Sequence, residues 1–233
     1  AVVLLNAFPE HGASYILLGD AYRMLERPKL AIEAYREAVV AAETAISRCW
    51  TLSNEGDPDI EKQIAADQTD VMKRLLELLS AIGISTKALC NIGSIHKMMD
   101  NTQEAIDSYE KASSVMSGCV QALFNAALVY TDQEKHEEAA TILEKCIHLD
   151  ADFAEAWGLL GITYFELDRP EDSVAACKRA RTLRPDLVDL QLFLGLSYQK
   201  LEMFPEAINA FETAIADDPE YAEAYGSLGW VYM

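Results

Sequence analysis

The chain has 233 residues, 51% of them hydrophobic and 24% charged, with a formal net charge of −19. This composition supplies enough apolar surface for a folded core and disfavours nucleic acid and anionic membrane surfaces, which need faces rich in Lys and Arg. No run approaches the ~18 apolar residues of a membrane span, and the opening AVVLLNAFPE lacks the basic flank and small-residue cleavage site of a secretory signal.

In chain order, residues 1–11 read as the tail of a helix that stops at Pro9. Residues 12–45 pattern as two helices, with Pro28 at the start of the second, where proline is tolerated. That second helix is expected to begin near Leu30 and overrun to about Leu52, since residues 46–85 break the pattern around them. A polar turn, SNEGD, follows, and Asp57-Pro58 is expected to open another long helix to about Ile82, with Val71, Leu75 and Leu78 on its apolar face. Residues 86–119, 120–153, 154–187 and 188–221 each read as a first helix (A, about positions 1–14) and a second (B, about positions 18–31). Pro170 and Pro205 open B helices, while Pro185 and Pro219 stop them by removing a backbone donor. Residues 222–233 hold one further A helix, so both ends are expected to be cut from a longer array.

Gly161 stands in the middle of the apolar run AEAWGLLGITYFE, although interior glycine costs about 1 kcal/mol in a helix. Steps of 34 residues return a small residue at the same slot: Gly93, Ala127, Gly161, Gly195 and Gly229. His96, Tyr130, Tyr164, Tyr198 and Tyr232 stand three residues later, in fixed phase. Position 20 of each unit is small (Ala31, Ala105, Ala139, Ser173, Ala207), as is position 27 (Ala112, Cys146, Ala180, Ala214). A period of about 34 with a helix–turn–helix unit resembles the tetratricopeptide-repeat (TPR) family over most of the chain, residues 46–85 excepted. The resemblance implies an all-α solenoid, a right-handed superhelix with A helices on its concave face. The small residues at positions 8 and 20 are expected to let the paired backbones approach. Large residues at positions 4, 7, 11 and 24 are expected to fill the flanking holes.

The concave face is read from A-helix positions 2, 5, 6, 9 and 12. It presents Phe124, Asn125 and Leu128, then Leu159, Ile162 and Phe165, then Leu192, Phe193 and Leu196. An apolar strip of this kind on a solvent-facing wall marks an interaction site. It suits an amphipathic helix or an extended apolar peptide, unless the A helices pack it away or the protein's own flanks cover it. Some TPR modules of chaperone cofactors clamp a C-terminal carboxylate with Lys, Asn and Arg. The corresponding slots here are Ile16, Asp20, Asn91, Gln121 and Asn125, or Cys90, Ser94, Asn125, Glu155 and Leu159, with no cation among them. Asn91 and Asn125 could be two rungs of the asparagine ladder found in sugar-transferring relatives, which Leu159 and Phe193 interrupt.

The segment NEGDPDIE spaces Asp57, Asp59 and Glu61 alternately but lacks the later glycine and glutamate of a calcium loop, and reads as a helix start. The histidines His11, His96, His136 and His148 form no metal-ligand pattern, and no phosphate loop or nucleophile motif is present. No cofactor or metal is expected. The five scattered cysteines, with no CxxC, read as free thiols of a reducing compartment, most simply the cytoplasm. The expectation is a non-catalytic scaffold or adaptor for an apolar, basic-flanked peptide or protein. It is not expected to bind nucleic acid or to insert into a membrane. A substrate-recruiting arm of a larger enzyme and a self-association element are the alternatives.

Overall fold

The computed structural model describes residues 12–54, 68–116, 118–187 and 189–233, with side chains at all of these except 49–54 and 68–75. Eleven helices and no strand occur among the described residues. They are α1 (Gly12–Met24), α2 (Pro28–Asn54), α3 (Gln68–Met98), α4 (Thr102–Val115), α5 (Val120–Asp132), α6 (His136–Leu149), α7 (Ala154–Glu166), α8 (Pro170–Leu183), α9 (Asp189–Lys200), α10 (Phe204–Asp217) and α11 (Ala222–Val231). They fall into two compact units, Ala1–Ala122 and Leu123–Met233. In the first, α1 packs on α2, α2 on α3 and α3 on α4. In the second, α7 packs on α8, α8 on α9, α9 on α10 and α10 on α11, and α7 also touches α9.

The recurrent glycines sit where an A helix crosses its own B helix, but the space they leave is filled differently from the sequence expectation. A Cβ built on Gly93 would lie 2.8 Å from the Tyr109 ring. One on Gly19 would overlap the Tyr35 ring, one on Gly195 the Phe211 ring, and one on Gly161 the Cys177 sulfur. In each case the occupant is the residue at position 24 of the B helix, seated over the glycine rather than beside it. Where that residue is only cysteine, the backbones themselves close up. The added Gly161 Cβ would be 3.1 Å from the Cys177 nitrogen, and Ser173 Oγ donates to the Gly161 carbonyl at 2.7 Å. Positions 20 and 27 are small because they are fully enclosed: Ala31, Ala105, Ala139, Ser173 and Ala207, and Ala38, Ala112, Cys146, Ala180 and Ala214, are all 0% exposed.

The A-to-B turn repeats a backbone feature that composition conceals. Glu26, Asp100, Glu134, Asp168 and Glu202 all hold positive φ, between 54° and 60°. The next residue donates back five positions into the A helix, as Arg27 does to Tyr22, Asn101 to His96, Lys135 to Tyr130, Arg169 to Tyr164 and Met203 to Tyr198, at 2.9–3.0 Å. This is the helix-ending motif that usually takes glycine. Here an acidic residue occupies it every time.

The largest departure lies in α3. The expected stop near Ile82 is absent, and one helix runs from Gln68 through the 85/86 boundary to Met98. Pro185 and Pro219 remove a donor at the equivalent slot of later repeats, whereas Gly83 keeps its N–H and lets the helix continue. The expected α2 overrun is found, ending at Asn54. The Asp57-Pro58 helix start and the acids Asp57, Asp59 and Glu61 lie outside the described residues. Within α3, Leu76–Met98 is by length and composition apolar enough to cross a membrane, which corrects the sequence reading that no run approaches that limit. Its Ala88, Ile92 and Ile95 form a core cluster with Ile16 and Tyr35, so a core-helix role accounts for these apolar residues.

Gly195→Ala is expected to cost about 1–3 kcal/mol by overpacking against Phe211. Gly83→Ala, with nothing within 4 Å of the added carbon, is expected to gain about 0.5–1 kcal/mol of helix propensity. Urea or thermal melts compare the two, and equal melts contradict the packing account. In the same assay Glu134→Gly, at φ 58°, is expected to raise stability by up to about 1 kcal/mol through relief of left-handed strain.

Candidate interaction surface

The second unit brings together most of the predicted strip. Phe124 and Leu128 come from α5, Leu159, Ile162 and Phe165 from α7, and Phe193 and Leu196 from α9, and all are half-buried. The rings pair with one another or with neighbouring turns. Phe165 meets Phe193 edge-on with centroids 5.7 Å apart, and Phe124 lies 5.0 Å from Phe153. Such pairs add about 0.5–1.5 kcal/mol beyond their buried area. The strip is therefore a partly consolidated wall, with the A helices burying part of each side chain. Leu192 is a correction: at 2% exposed it belongs to the core cluster with Leu194, Phe211 and Ala224. Its position faces the next A helix, as Gly158 does at the same slot, where an added Cβ would lie 3.2 Å from Leu190.

Phe153 and Lys200 were not among the predicted residues. Lys200 Nζ stands 4.2 Å from the Phe165 ring centroid and 2.9 Å from Asp168 Oδ1. A cation thus borders the strip, paired with one of the left-handed turn acids. Phe153 precedes α7 and Lys200 ends α9, outside the A-helix slots from which the strip was read.

Asn91 belongs to the first unit, in a different setting. The Tyr35 hydroxyl donates to Asp20 Oδ1 at 2.6 Å, and the Asn91 side chain nearby opposes the upward push on its phenol. Burial first, and then the Asp20 hydrogen bond and charge, push the Tyr35 phenol upward. The Ser94 and Tyr109 hydroxyls pair at 3.1 Å. In both repeats the tyrosine that fills the glycine hollow reaches through to position 9 of the A helix. Where position 24 is Leu143, Cys177 or Phe211, position 9 is Leu128, Ile162 or Leu196. The side chain filling the hollow thus matches the polarity of the A-helix face above it.

Of the slots tested for a carboxylate clamp, Asp20 is held by Tyr35 and Glu155 pairs with Arg184. Among the described residues no group of three or more His, Cys, Asp or Glu is placed to hold a metal ion. Tyr164 donates to Glu144 Oε1 at 2.8 Å, and burial together with that bond pushes its phenol up to about 12. The first unit also carries a cleft of about 670 Å³ lined by Arg36 and Glu43 of α2, His96 of α3, and Glu104 and Lys111 of α4.

Models of the tetratricopeptide repeat match residues 130–196, residues 86–115, and residues 2–46 together with 194–233. The chain belongs to the tetratricopeptide-repeat family. No curated protein matches its sequence significantly. Among solved structures, YrrB, a TPR protein with an unusual peptide-binding site, is similar at a TM-score of 0.69 and 14% identity, covering 97% of this chain and 96% of its own. A tetratricopeptide repeat protein from Parabacteroides merdae gives 0.66 and 16%, over 95% of this chain and 72% of its own. MamA gives 0.62 and 17%, over 88% and 97%. At these identities the likeness is one of fold.

His96 takes the slot that tyrosine fills in the later repeats, and it is 9% exposed. Burial, ahead of the opposing Glu104 charge and the reinforcing Arg36 charge, holds its imidazole below the ordinary 6.5. The unfolded chain then takes the proton first, so this contribution to stability is intact above about pH 6.5 and is lost as pH falls below it. His96→Tyr is expected to flatten the decline below that point in chemical melts across pH, and an unchanged profile contradicts the assignment.

Proposed function

We propose that this protein is a non-catalytic interaction scaffold whose second unit receives an apolar peptide or helix with basic flanks. The observation that carries the reading is the half-buried apolar wall of Leu128, Leu159, Ile162, Phe165, Phe193 and Leu196 on successive A helices. Asn125 lies at one end of it, one helical turn before Leu128. Rigid side-chain packing beneath the wall keeps it preformed, so little ordering entropy opposes binding. Residues 123–233 carry 21 Asp and Glu against 8 Lys and Arg, and such a field speeds the approach of a basic-flanked ligand in a salt-dependent way. The peptide-binding site of the similarly folded YrrB supports the same use of the fold. The enclosed thiols of Cys146 and Cys177 support a reducing, cytoplasmic setting.

Selection of a displayed random-peptide library against the full chain is expected to enrich apolar sequences flanked by Lys or Arg. Combined Phe124→Ala and Phe193→Ala substitution is expected to weaken the selected peptides at least tenfold, about 1.4 kcal/mol, with the helical circular-dichroism spectrum retained. Added salt is expected to lower the association rate more than it raises the dissociation rate. Peptides that bind the double variant equally well would place the contact elsewhere.

A further inference from the structure

Two of the four described cysteines are enclosed, Cys146 and Cys177, each 0% exposed. The other two, Cys90 and Cys119, are partly exposed and share one place in the first unit. Cys90 lies on α3, whereas Cys119 stands in the turn between α4 and α5, immediately before Val120. Both pack on the same cluster, formed by Leu89, Ala112 and Ala122 with Val39 and Val115 around it. Cys119 stands near enough to Cys90 to act on its thiol. The repeat brings positions 5 and 34 together, as the Phe124–Phe153 contact of the next unit shows, and this unit places cysteine at both. Position 34 of the later units is Phe153, Leu187 or Tyr221, and position 5 is Phe124, Gly158 or Leu192.

We propose that Cys90 and Cys119 form a reversible dithiol–disulfide site, oxidised by a small-molecule disulfide of the glutathione class. Because both side chains pack on one small cluster, the movement that brings the sulfurs to the covalent separation of ~2.05 Å is local. Cys119 is the attacking sulfur. It stands in the turn before α5, whereas Cys90 is carried within α3. The Cys119 thiolate attacks one sulfur of the reagent RSSR, forming Cys119–S–S–R and releasing RS⁻. Cys90, its proton passing to the released thiolate, then attacks the Cys119 sulfur of the mixed disulfide and expels the second RS⁻, which takes up the proton Cys119 had earlier shed. Two cysteine thiols are oxidised and one reagent disulfide is reduced to two thiols. Burial, followed by the charge and hydrogen bond of Cys119, pushes the Cys90 thiol up to about 12, so the second step is the slow one. The bridge closes a loop containing the whole of α4 and ties α3 to the beginning of α5, the helix in which the first unit ends.

The test uses the full chain, incubated with excess oxidised glutathione, blocked with iodoacetamide and digested with trypsin without reductant. The expected product is a single species joining peptide 88–97 to peptide 112–135, each of which holds one cysteine, and dithiothreitol is expected to release both. Oxidation is also expected to raise the melting temperature reversibly, because the cross-link removes loop-closure entropy from the unfolded chain. Cys119→Ser, at a turn, and Cys90→Ser are each expected to abolish both effects. Peptides 88–97 and 112–135 each carrying a separate glutathione, a bridge to Cys49 instead, or two unreacted thiols would overturn the proposal. Mapping of the wild-type chain decides the question even where a variant folds poorly.

Discussion

The structure depends on a single recurring contact: in four of the repeats, a side chain from position 24 of the B helix is seated in the hollow left by a glycine on its A helix. Gly19, Gly93, Gly161 and Gly195 pair in this way with Tyr35, Tyr109, Cys177 and Phe211. The occupants differ in size, so the crossing adapts. An aromatic ring fills the hollow by itself, whereas a cysteine lets the backbones close and brings Ser173 into a hydrogen bond with the Gly161 carbonyl. Interiors are close-packed and a missing methylene is felt, so the hollow and its occupant behave as one unit. Gly229 shows the converse: no B helix covers it among the described residues, and an added Cβ there would meet nothing within 4 Å.

The same contact sets the character of the surface above it. Tyrosine carries a hydroxyl to the far side of the hollow, and a buried hydroxyl requires a partner. Asp20 and Ser94 supply one in the first unit. Leu128, Ile162 and Leu196 face occupants without a hydroxyl in the second. A polar A-helix face and an apolar one thus arise from the same backbone plan. Charges between neighbouring repeats, such as Arg179 with Asp152 and Lys200 with Asp168, are largely exposed pairs of the kind that contribute little to stability.

The left-handed turn residues illustrate a different constraint. A helix must end where the chain reverses, and its last carbonyls need donors. A positive φ at position 15 brings the next N–H back to them, and Glu26, Asp100, Glu134, Asp168 and Glu202 accept the strain. Asp168 has a second task, holding Lys200 beside the strip.

The 34-residue recurrence by itself determined the helix pairs and the small residues at positions 8, 20 and 27. Each of these is set by a residue's own size and spacing. The turn acids recur in sequence just as regularly, yet composition does not mark them, because φ belongs to the backbone and acidic residues rarely need a positive one. Only the tertiary structure decided that Leu192 is core, that α3 runs unbroken past Gly83, that Phe153 and Lys200 border the apolar wall, and that Cys90 meets Cys119. These outcomes depend on which atoms arrive from a neighbouring helix or turn, and a periodic pattern within one chain segment carries no record of that arrival.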